Sequence, residues 1–352
     1  MEKILTVIVP SYNMEKYLSK NLESLIVEKP LFDLVDVIVV NDGSKDRTSE
    51  IAHGYAQRYL NSIRVIDKPN GNYGSCVNVG VRAARGKYVR VLDADDYVDG
   101  QLFSKFLAWL KGVDVDLALT DYETVNECGG LISRKSFSLP AGEFGITELG
   151  GDFTEGHSIT YRTKNLLKIG YEQIEGISYS DLQWSTIPQL ATRKISYFPQ
   201  PVVKYLMGRA GQTMDVRYQS RNYWMSAKVV LAIARDYRRL AKCAAANACS
   251  RVEKLIALFS SWRYYDLVFR YKSSVARVDL LSFDEEMKGI DRKIYEMIEP
   301  MTLFTLRRLG IKVSLAHELR YHPTRSFFVF KVIRLYSMLG GFLVRRKAMA
   351  RV

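Results

Sequence analysis

Four short apolar runs, rich in Val and Ile, alternate with amphipathic segments over the first hundred residues. The runs are Ile4–Val9, Val35–Val40, Ile63–Ile66 and Tyr88–Leu92, with helical patterns near 14–27, 46–60 and 73–84. Runs that are apolar throughout, rather than at every second position, are typical of parallel strands covered on both faces. Since parallel strands are joined by right-handed crossovers, the pattern predicts an α/β fold with a mostly parallel, doubly wound sheet. Ligands of such sheets bind at the carboxyl ends of the strands.

The pattern changes twice farther along the chain. Residues 117–138 are typical of a hairpin with its turn at Gly129-Gly130, and residues 141–215 are rich in loops. From Tyr223 onward the apolar residues recur at helix spacing, in 223–241, 252–271, 284–299 and 326–344. We therefore predict two domains, residues 1–215 and a helical C-terminal region at residues 216–352.

Positive charge is concentrated in the second half of the chain. Residues 215–352 hold 27 Lys and Arg against 12 Asp and Glu, a net charge of +15, whereas residues 1–214 hold 24 against 26. Such an asymmetry indicates an anionic partner: a membrane surface, a phosphorylated acceptor or nucleic acid.

Cysteine spacing and hydropathy indicate the compartment. The four cysteines form no Cys-x-x-Cys pair, no signal peptide precedes the first apolar run, and the most apolar stretch, 326–344, is broken by Lys331 and Arg334. We expect a cytoplasmic protein that does not span a membrane.

Two polar loops follow the first two predicted strands. Pro10-Ser11-Tyr12-Asn13 ends the first strand, and Asn41-Asp42-Gly43-Ser44 ends the second. The Tyr12 ring can lie against a planar base, and Asp42 can accept a hydrogen bond from a ring N–H. The alternative is that Asp42 belongs only to a turn and helix cap.

Three carboxylates, Asp93, Asp95 and Asp96, follow the fourth strand within four residues. Neighbouring carboxylates repel unless a cation neutralises them, and Mg²⁺ typically joins one or two carboxylates to substrate phosphates. The cluster predicts a metal-diphosphate site, with a solvated acidic helix start as the alternative. The Gly-rich run 70–75, which contains Asn72 and Gly74, precedes a helix and allows the backbone to approach phosphate or sugar.

The order and spacing of these pieces resemble glycosyltransferase family 2, over about residues 4–100. The resemblance implies a GT-A fold, a Rossmann-like α/β domain. It also implies that Pro10, Tyr12 and Asp42 hold the nucleotide base, and that Asp93 and Asp95 hold ribose and a Mn²⁺ or Mg²⁺ ion on the diphosphate. Asp96 is expected to share the metal.

The chain departs from the family pattern before the fourth strand. Many members have Ala-Arg-Asn where this chain has Cys76-Val77-Asn78. The local sequence looks more like a bacterial subgroup with a Gly-rich, Asn-containing segment, which implies donor contacts from Asn72, Gly74 and Asn78.

Inverting transfer needs a base that deprotonates the acceptor hydroxyl. Members of the family supply an aspartate from a Glu-Asp motif about a hundred residues beyond the metal site, and Asp181 matches in position although Ser180 replaces the Glu. A helix start capped at Ser180 is the alternative reading of this local sequence.

Four further residues are candidates on weaker grounds. Arg209 and Gln212 lie in a segment that resembles the one covering donor phosphates in relatives, with a surface loop as the alternative. His157 and Trp184 are candidate acceptor contacts, although a lone histidine and a tryptophan are commonly structural.

The resemblance implies an inverting hexosyl- or N-acetylhexosaminyltransferase that uses a nucleotide-sugar, with UDP as the expected nucleotide. The expected acceptor is a glycan or a lipid-linked saccharide in surface polysaccharide or glycoconjugate synthesis. The basic apolar segment 323–352 is expected either to lie on an anionic membrane surface, as a peripheral attachment at its inner face, or to pack on the protein or on a second subunit of a homo-oligomer. A non-catalytic sugar-nucleotide binder and a nucleic-acid-binding protein remain alternatives, although no aromatic-basic recognition motif supports nucleic acid.

Overall fold

The computed structural model of the chain describes residues 2–151, 153–209, 211–213, 216–270, 274–306 and 311–340. The chain divides into two compact units, Met1–Gly150 with Thr154–Gln212, and Gly151–Phe153 with Thr213–Val352. The predicted assignment of functions to residues 1–215 and 216–352 stays a prediction.

A ten-stranded sheet with flanking helices forms the first unit. Its strands are β1 (Leu5–Ser11), β2 (Val35–Asn41), β3 (Ile63–Asp67), β4 (Tyr88–Val91), β5 (Tyr97–Val98), β6 (Leu117–Val125), β7 (Leu131–Lys135), β8 (Glu143–Phe144), β9 (Ile159–Arg162) and β10 (Ile195–Leu206). Its helices are α1 (Leu18–Leu25), α2 (Thr48–Arg58), α3 (Asn72–Ala83), α4 (Gly100–Gly112), α5 (Thr163–Lys168) and α6 (Asp181–Trp184). The strand order is β3-β2-β1-β4-β9-β6-β10-β5, with β7 beside β6 and β8 beside β10.

Strands β3, β2, β1 and β4 lie side by side in parallel. Every residue of β1 and β2 is buried, as expected for strands with helices on both faces. The helices contribute apolar residues at helix spacing to this core, among them Leu18, Leu22, Leu25, Phe103, Phe106 and Leu110. The four predicted strands are confirmed, as is the α/β class.

One strand, β9, interrupts the parallel order of the sheet, but the strands on either side of it run in the same direction. β9 lies between β4 and β6 and is antiparallel to both, so β6, and β10 beside it, run in the same direction as β4. The carboxyl ends of β1, β2, β4 and β10 therefore meet at one edge.

The predicted hairpin is also confirmed: β6 and β7 pair antiparallel, and the turn between them is closed by the backbone amides of Cys128 and Gly130, which donate to Asn126 Oδ1.

Helices dominate the second unit, which confirms the predicted helical C-terminal region. Its elements are α7 (Val216–Arg221), α8 (Tyr223–Leu240), α9 (Ala246–Phe269), α10 (Ser274–Ile290), α11 (Arg292–Met301), β11 (Leu303–Leu306), β12 (Ile311–Ser314), α12 (Leu315–Tyr321) and α13 (Pro323–Gly340). The end of the predicted helix 326–344, and the basic residues 345–347, lie outside the described residues.

One helix boundary was predicted wrongly. The expected helix over 284–299 is broken between α10 and α11, because Asp291 has extended backbone angles (φ −153°, ψ 104°) and its side chain accepts a hydrogen bond from Ile294 N. Aspartate is a favoured N-cap residue, and its carboxylate satisfies an amide that the new helix leaves unpaired.

Among the helices that the structure describes, none combines the length and the apolarity needed to cross a lipid bilayer.

Candidate active site

The loop after β4 carries the three clustered carboxylates, and α1 holds it in place. Asn21 is fully buried, and its Nδ2 donates to the carbonyl oxygens of Asp93 (2.9 Å) and Asp96 (2.8 Å). From the other side, the amide of Leu206 at the end of β10 donates to Asp96 Oδ1 at 2.8 Å. These contacts fix the loop on two elements that are distant in sequence.

The electrostatic state of the carboxylates reflects their crowding. Burial raises the pKa of Asp93, and the charges of Asp95 and Asp181 raise it further. Burial also raises the pKa of Asp96 well above its usual range, with Asp95 and Asp93 adding to the effect. A nearby cation favours the charged form of each group, and the charge of Arg209 already acts on both in that direction.

Arg209, which follows β10, contacts this cluster directly. Its Nε donates to Asp95 Oδ2 at 2.5 Å, and the guanidinium lies 5.5 Å from the centre of the Tyr17 ring. Gln212 holds the segment that carries Arg209: its Oε1 accepts from Gly208 N at 2.9 Å, and its Nε2 donates to Leu206 O at 2.6 Å. Gln212 therefore positions the loop, because both ends of its amide are already used within the chain.

Asp181 begins the short helix α6 and is exposed to solvent. The preceding Tyr179 has a left-handed backbone (φ 71°), a conformation that costs energy for a bulky residue and occurs often at functional sites. Desolvation by the protein atoms around the Asp181 carboxyl group raises its pKa, although the residue as a whole keeps contact with solvent. Its charge acts on Asp93 and on Tyr73, whose hydroxyl bonds to Asp93. The structure thus brings Asp181 into the field of the carboxylates after β4.

Asp42 lies at the adjacent strand end, but its carboxylate is already engaged. It is 2% exposed and accepts hydrogen bonds from Lys68 Nζ at 2.5 Å, Gly71 N at 2.9 Å and Asn72 N at 2.8 Å. In this structure Asp42 fixes the loop before α3.

The other residues predicted for the base pocket differ in accessibility. Pro10 is buried in β1, opposite Val40, whereas Tyr12 is 42% exposed. Asn13 has a left-handed backbone (φ 55°). It joins the loop after β1 to the loop after β2, because its backbone N–H donates to Ser44 Oγ and its side-chain Oδ1 accepts from Lys45 N. Tyr12 is thus the member of this group with a ring face open to a ligand.

The segment at the start of α3 is used mainly for packing. Gly74 is buried, and a Cβ built on it would lie 2.2 Å from the Ile174 carbonyl oxygen. Asn78 is 2% exposed; its Nδ2 donates to Gln173 O and to Glu175, and its Oδ1 accepts from Gln173 N. The predicted donor contact of Asn78 is not supported, because its amide is fully occupied. Asn72 is half-buried with a left-handed backbone (φ 70°).

His157 lies behind the carboxylates. Its ring stacks on Tyr205, with 4.1 Å between ring centres, and its Nδ1 is 3.4 Å from Asp96 Oδ2. Burial lowers the pKa of His157 to about 4, so the ring is neutral at pH 7.

Trp184 is 1% exposed. It packs edge-on against Tyr161 and Tyr171, with 5.2 and 5.8 Å between ring centres. Its predicted contact with an acceptor is therefore not supported, since no face of the indole is open to a sugar.

The loop after β4 contains carboxylate oxygens, which are hard ligands suited to ions such as Mg²⁺. Within the described ranges, no three His, Cys, Asp or Glu side chains already stand together as a metal-binding group. Mg²⁺ and related ions, however, commonly take one or two carboxylates and complete their shell with substrate phosphates and water. Asp93 and Asp95 fit that donor set, because their charges are crowded and a cation would relieve the repulsion.

Sequence reasoning missed two residues of the site, Asn21 and Tyr205. Asn21 occupies one apolar stripe of α1 together with Leu18, Leu22 and Leu25, and a polar residue in such a stripe is a usable signal of a buried hydrogen-bonding role. Tyr205, by contrast, gave no signal, although the structure places its hydroxyl in the field of Asp93, Asp95, Asp96 and Asp181.

Comparison with protein families matches residues 6–169 to the family described as Glycosyl transferase family 2. An uncharacterized glycosyltransferase of Mycoplasma pneumoniae is 43% identical over 107 residues, which are 30% of this chain and 36% of that protein. The poly(ribitol-phosphate) beta-N-acetylglucosaminyltransferase TarS of Staphylococcus aureus is 27% identical over 230 residues, 65% of this chain and 40% of TarS. The matches thus span well under two thirds of these relatives.

Among solved structures, residues 1–349 of S. aureus TarS in complex with UDP-GlcNAc superpose with a TM-score of 0.68. The superposition covers 97% of this chain and 93% of that one, at 18% sequence identity. The likeness shows a shared fold.

Proposed function

We propose, on the premise that the chain belongs to glycosyltransferase family 2 and has the GT-A fold, that it transfers a sugar from a nucleotide-sugar to a hydroxyl group of a glycan or lipid-linked acceptor. One observation carries the proposal. Asp181, nearly ninety residues beyond the carboxylates after β4 in sequence, lies close enough to them for its charge to raise the pKa of Asp93. A carboxylate opposite a diphosphate-binding loop is the arrangement that inverting transfer requires.

For the donor we propose a UDP-sugar, with a hexosyl or N-acetylhexosaminyl group. The TarS structure of the same fold was solved with UDP-GlcNAc, and Tyr12 offers an exposed ring on which a base can stack. Asp42 supports this pocket through the loop that it holds, at Lys68, Gly71 and Asn72.

The cofactor we propose is Mn²⁺ or Mg²⁺ held by Asp93 and Asp95. When bound, the ion neutralises charge on the diphosphate as it departs. Asp96 has a different part in this proposal: its Oδ1 accepts from Leu206 N and its Oδ2 faces His157, so it holds the loop.

Asp181 is the proposed general base. As the acceptor oxygen attacks the anomeric carbon, the Asp181 carboxylate takes the hydroxyl proton. The bond from the anomeric carbon to the diphosphate oxygen breaks, and its electron pair leaves with the nucleotide from the opposite face. The configuration at the anomeric carbon is inverted. The raised pKa of Asp181 makes its carboxylate a better proton acceptor near neutral pH than an ordinary aspartate.

The test is the substitution Asp181→Asn, which keeps the shape and removes the base. We expect kcat to fall by about 10²- to 10⁴-fold while the dissociation constant of UDP in the presence of Mn²⁺ stays unchanged. Transfer is measured as UDP release that depends on acceptor. A variant with wild-type kcat would refute the assignment of the base, and wild-type protein that binds nucleotide but never transfers would favour the non-catalytic binder.

For α13 we propose peripheral attachment to the inner face of an anionic membrane, in a cytoplasmic protein. Phe327, Phe328 and Leu335 are 69%, 68% and 50% exposed, and at helix spacing they share a face with the exposed Lys331. Residues 321–352 contain seven Lys and Arg and no Asp or Glu. Apolar bulk with cations is the composition that an anionic lipid surface binds.

Liposome flotation tests the attachment. We expect wild-type protein to float with vesicles that contain phosphatidylglycerol, and Phe327→Asp/Phe328→Asp to remain at the bottom of the gradient. Thr324→Asp, which adds negative charge at an exposed position of the same helix without removing apolar surface, is the control. Failure of the wild type to float, with a dimer in light scattering that the double variant abolishes, would assign the face to a second copy of the chain.

A further inference from the structure

Arg209 and Asp95 form a short, largely buried ion pair in the ligand-free protein. Nε donates to Oδ2 at 2.5 Å, and the two side chains are only 14% and 10% exposed. A charge-assisted hydrogen bond in such surroundings is strong, since little water competes for either partner.

The arginine is well supported in this position. Its guanidinium lies 5.5 Å from the centre of the Tyr17 ring, and the Tyr17 hydroxyl donates to Glu127 at 3.1 Å, which fixes the ring. The loop on which Arg209 lies is anchored at its base by Gln212, through Gly208 and Leu206. Arg209 is therefore placed on Asp95 by its surroundings.

The same loop has the means to let Arg209 move. Gly208 and Gly211 flank it with left-handed backbones, φ 96° and 79°, and among the described residues no atom apart from the chain neighbours lies within 4 Å of a Cβ built on either. Glycines in open space can change φ and ψ at low cost, so the tip can turn while Gln212 keeps the base of the loop attached.

A metal ion on Asp95 Oδ2 and the present position of Arg209 exclude each other. The oxygen that accepts the short hydrogen bond from Nε faces the guanidinium, so it is not open as a ligand. A divalent cation placed there would also be repelled by the guanidinium at close range. In the ligand-free protein, the guanidinium supplies the positive charge that the carboxylates after β4 need.

We propose that Arg209 and the divalent cation are alternative partners of Asp95, and that the donor diphosphate brings about the exchange by accepting Arg209. The diphosphate carries two negative charges, and two of its oxygens can accept parallel hydrogen bonds from the guanidinium. Asp95, released from Arg209, then binds the ion together with the diphosphate. Metal affinity is thereby coupled to nucleotide binding. This inference rests on the proposed function, because it takes Asp95 as a metal ligand.

The measurement is Mn²⁺ binding followed by electron paramagnetic resonance, which needs no turnover. Ligand-free wild type is compared with Arg209→Gln, which removes the charge, and with Arg209→Lys, which retains it. Arg82→Gln, which removes an exposed arginine paired with Glu172 on the same unit, is the matched control for net charge. Each protein is measured with and without UDP.

We expect Arg209→Gln without UDP to bind Mn²⁺ about tenfold more tightly than the wild type, within the usual range for coupled sites. Arg209→Lys and Arg82→Gln should bind as the wild type does. UDP should tighten Mn²⁺ binding strongly in the wild type and much less in Arg209→Gln. Equal Mn²⁺ affinities of ligand-free wild type and Arg209→Gln would overturn the exchange.

Asp95→Asn separates this inference from the proposed metal site. If wild type binds Mn²⁺ with UDP and Asp95→Asn does not, the metal site stands, and the Arg209→Gln result decides the exchange alone. If Asp95→Asn binds Mn²⁺ with UDP as the wild type does, or neither binds it, Asp95 is no metal ligand, and both the metal assignment and the exchange are wrong.

Discussion

The substitution Asn21→Ala tests whether α1 holds the carboxylate loop in its working geometry. Asn21 is fully buried, and its Nδ2 donates to the carbonyl oxygens of Asp93 and Asp96. Alanine supplies no donor, so the buried hydrogen bond to the Asp96 carbonyl oxygen is lost, whereas the Asp93 carbonyl oxygen still accepts from the backbone amide of Asp96 at 2.9 Å. One unsatisfied buried polar group costs about 1–3 kcal/mol, so the substitution should lower the free energy of unfolding by about 1–3 kcal/mol.

Two assays follow from this value. Urea unfolding monitored by circular dichroism gives the change in stability, and calorimetric titration of UDP with Mn²⁺ shows whether the loop still presents Asp93 and Asp95 correctly. A domain with an ordinary stability of about 5–15 kcal/mol should remain folded in the variant. We expect at least about a tenfold loss of UDP affinity, because a displacement near 1 Å in a positioning loop is costly.

Asn222→Ala is the matched control, since Asn222 is half-buried and its Nδ2 donates to one carbonyl group, that of Tyr218, at 3.1 Å. It should cost no more than about 1.5 kcal/mol and leave UDP affinity unchanged. If Asn21→Ala unfolds at the same urea concentration as the wild type, the reasoning about buried carbonyl groups is refuted. If stability falls but UDP affinity does not, Asn21 supports the fold and not the site.

Two further predictions concern packing and pH. Gly74→Ala should lower the free energy of unfolding by several kcal/mol in urea unfolding, because the new Cβ would lie 2.2 Å from the Ile174 carbonyl oxygen. Gly54→Ala in α2, where no described residue outside that helix has an atom within 4 Å of the new Cβ, should instead stabilise the protein by about 0.5–1 kcal/mol; equal effects of the two substitutions would contradict the packing argument. The pH profile of kcat should fall on the acid side at a pH above the ordinary carboxyl value of about 4, because burial raises the pKa of Asp181 and the protonated acid cannot accept a proton. An acid limb that persists unchanged in the residual activity of Asp181→Asn would assign it to another group.

Much of the architecture was readable from local patterns. The four parallel strands were predicted to within a residue or two. Strands that are buried on both faces contain short, uninterrupted runs of apolar residues, and such runs are easily recognised in a sequence. The hairpin and most helices of the second unit followed for similar reasons. The break at Asp291 was missed, since apolar spacing continues across it and only the capping geometry reveals that one helix ends there.

For the candidate site, too, some features could be predicted from the sequence and others could not. The position of Asp93, Asp95 and Asp181 at strand or helix ends could be predicted, because it depends on where elements end. The state of each side chain could not. Asn78 and Trp184 were given ligand roles, yet the structure buries them against the chain, since their contacts come from segments that lie close only after folding.

The sequence by itself determined the α/β class, the sheet edge where the parallel strands end and the acidic loop at that edge, because strand periodicity and turn chemistry are local properties. Only the tertiary structure decided which polar groups are already satisfied and which remain available to a ligand. Asn21 reaches the loop from 72 residues away, and Arg209 reaches Asp95 from 114 residues away. The energy of a buried polar group depends on whether such a partner arrives, and the packing of the whole unit settles that question.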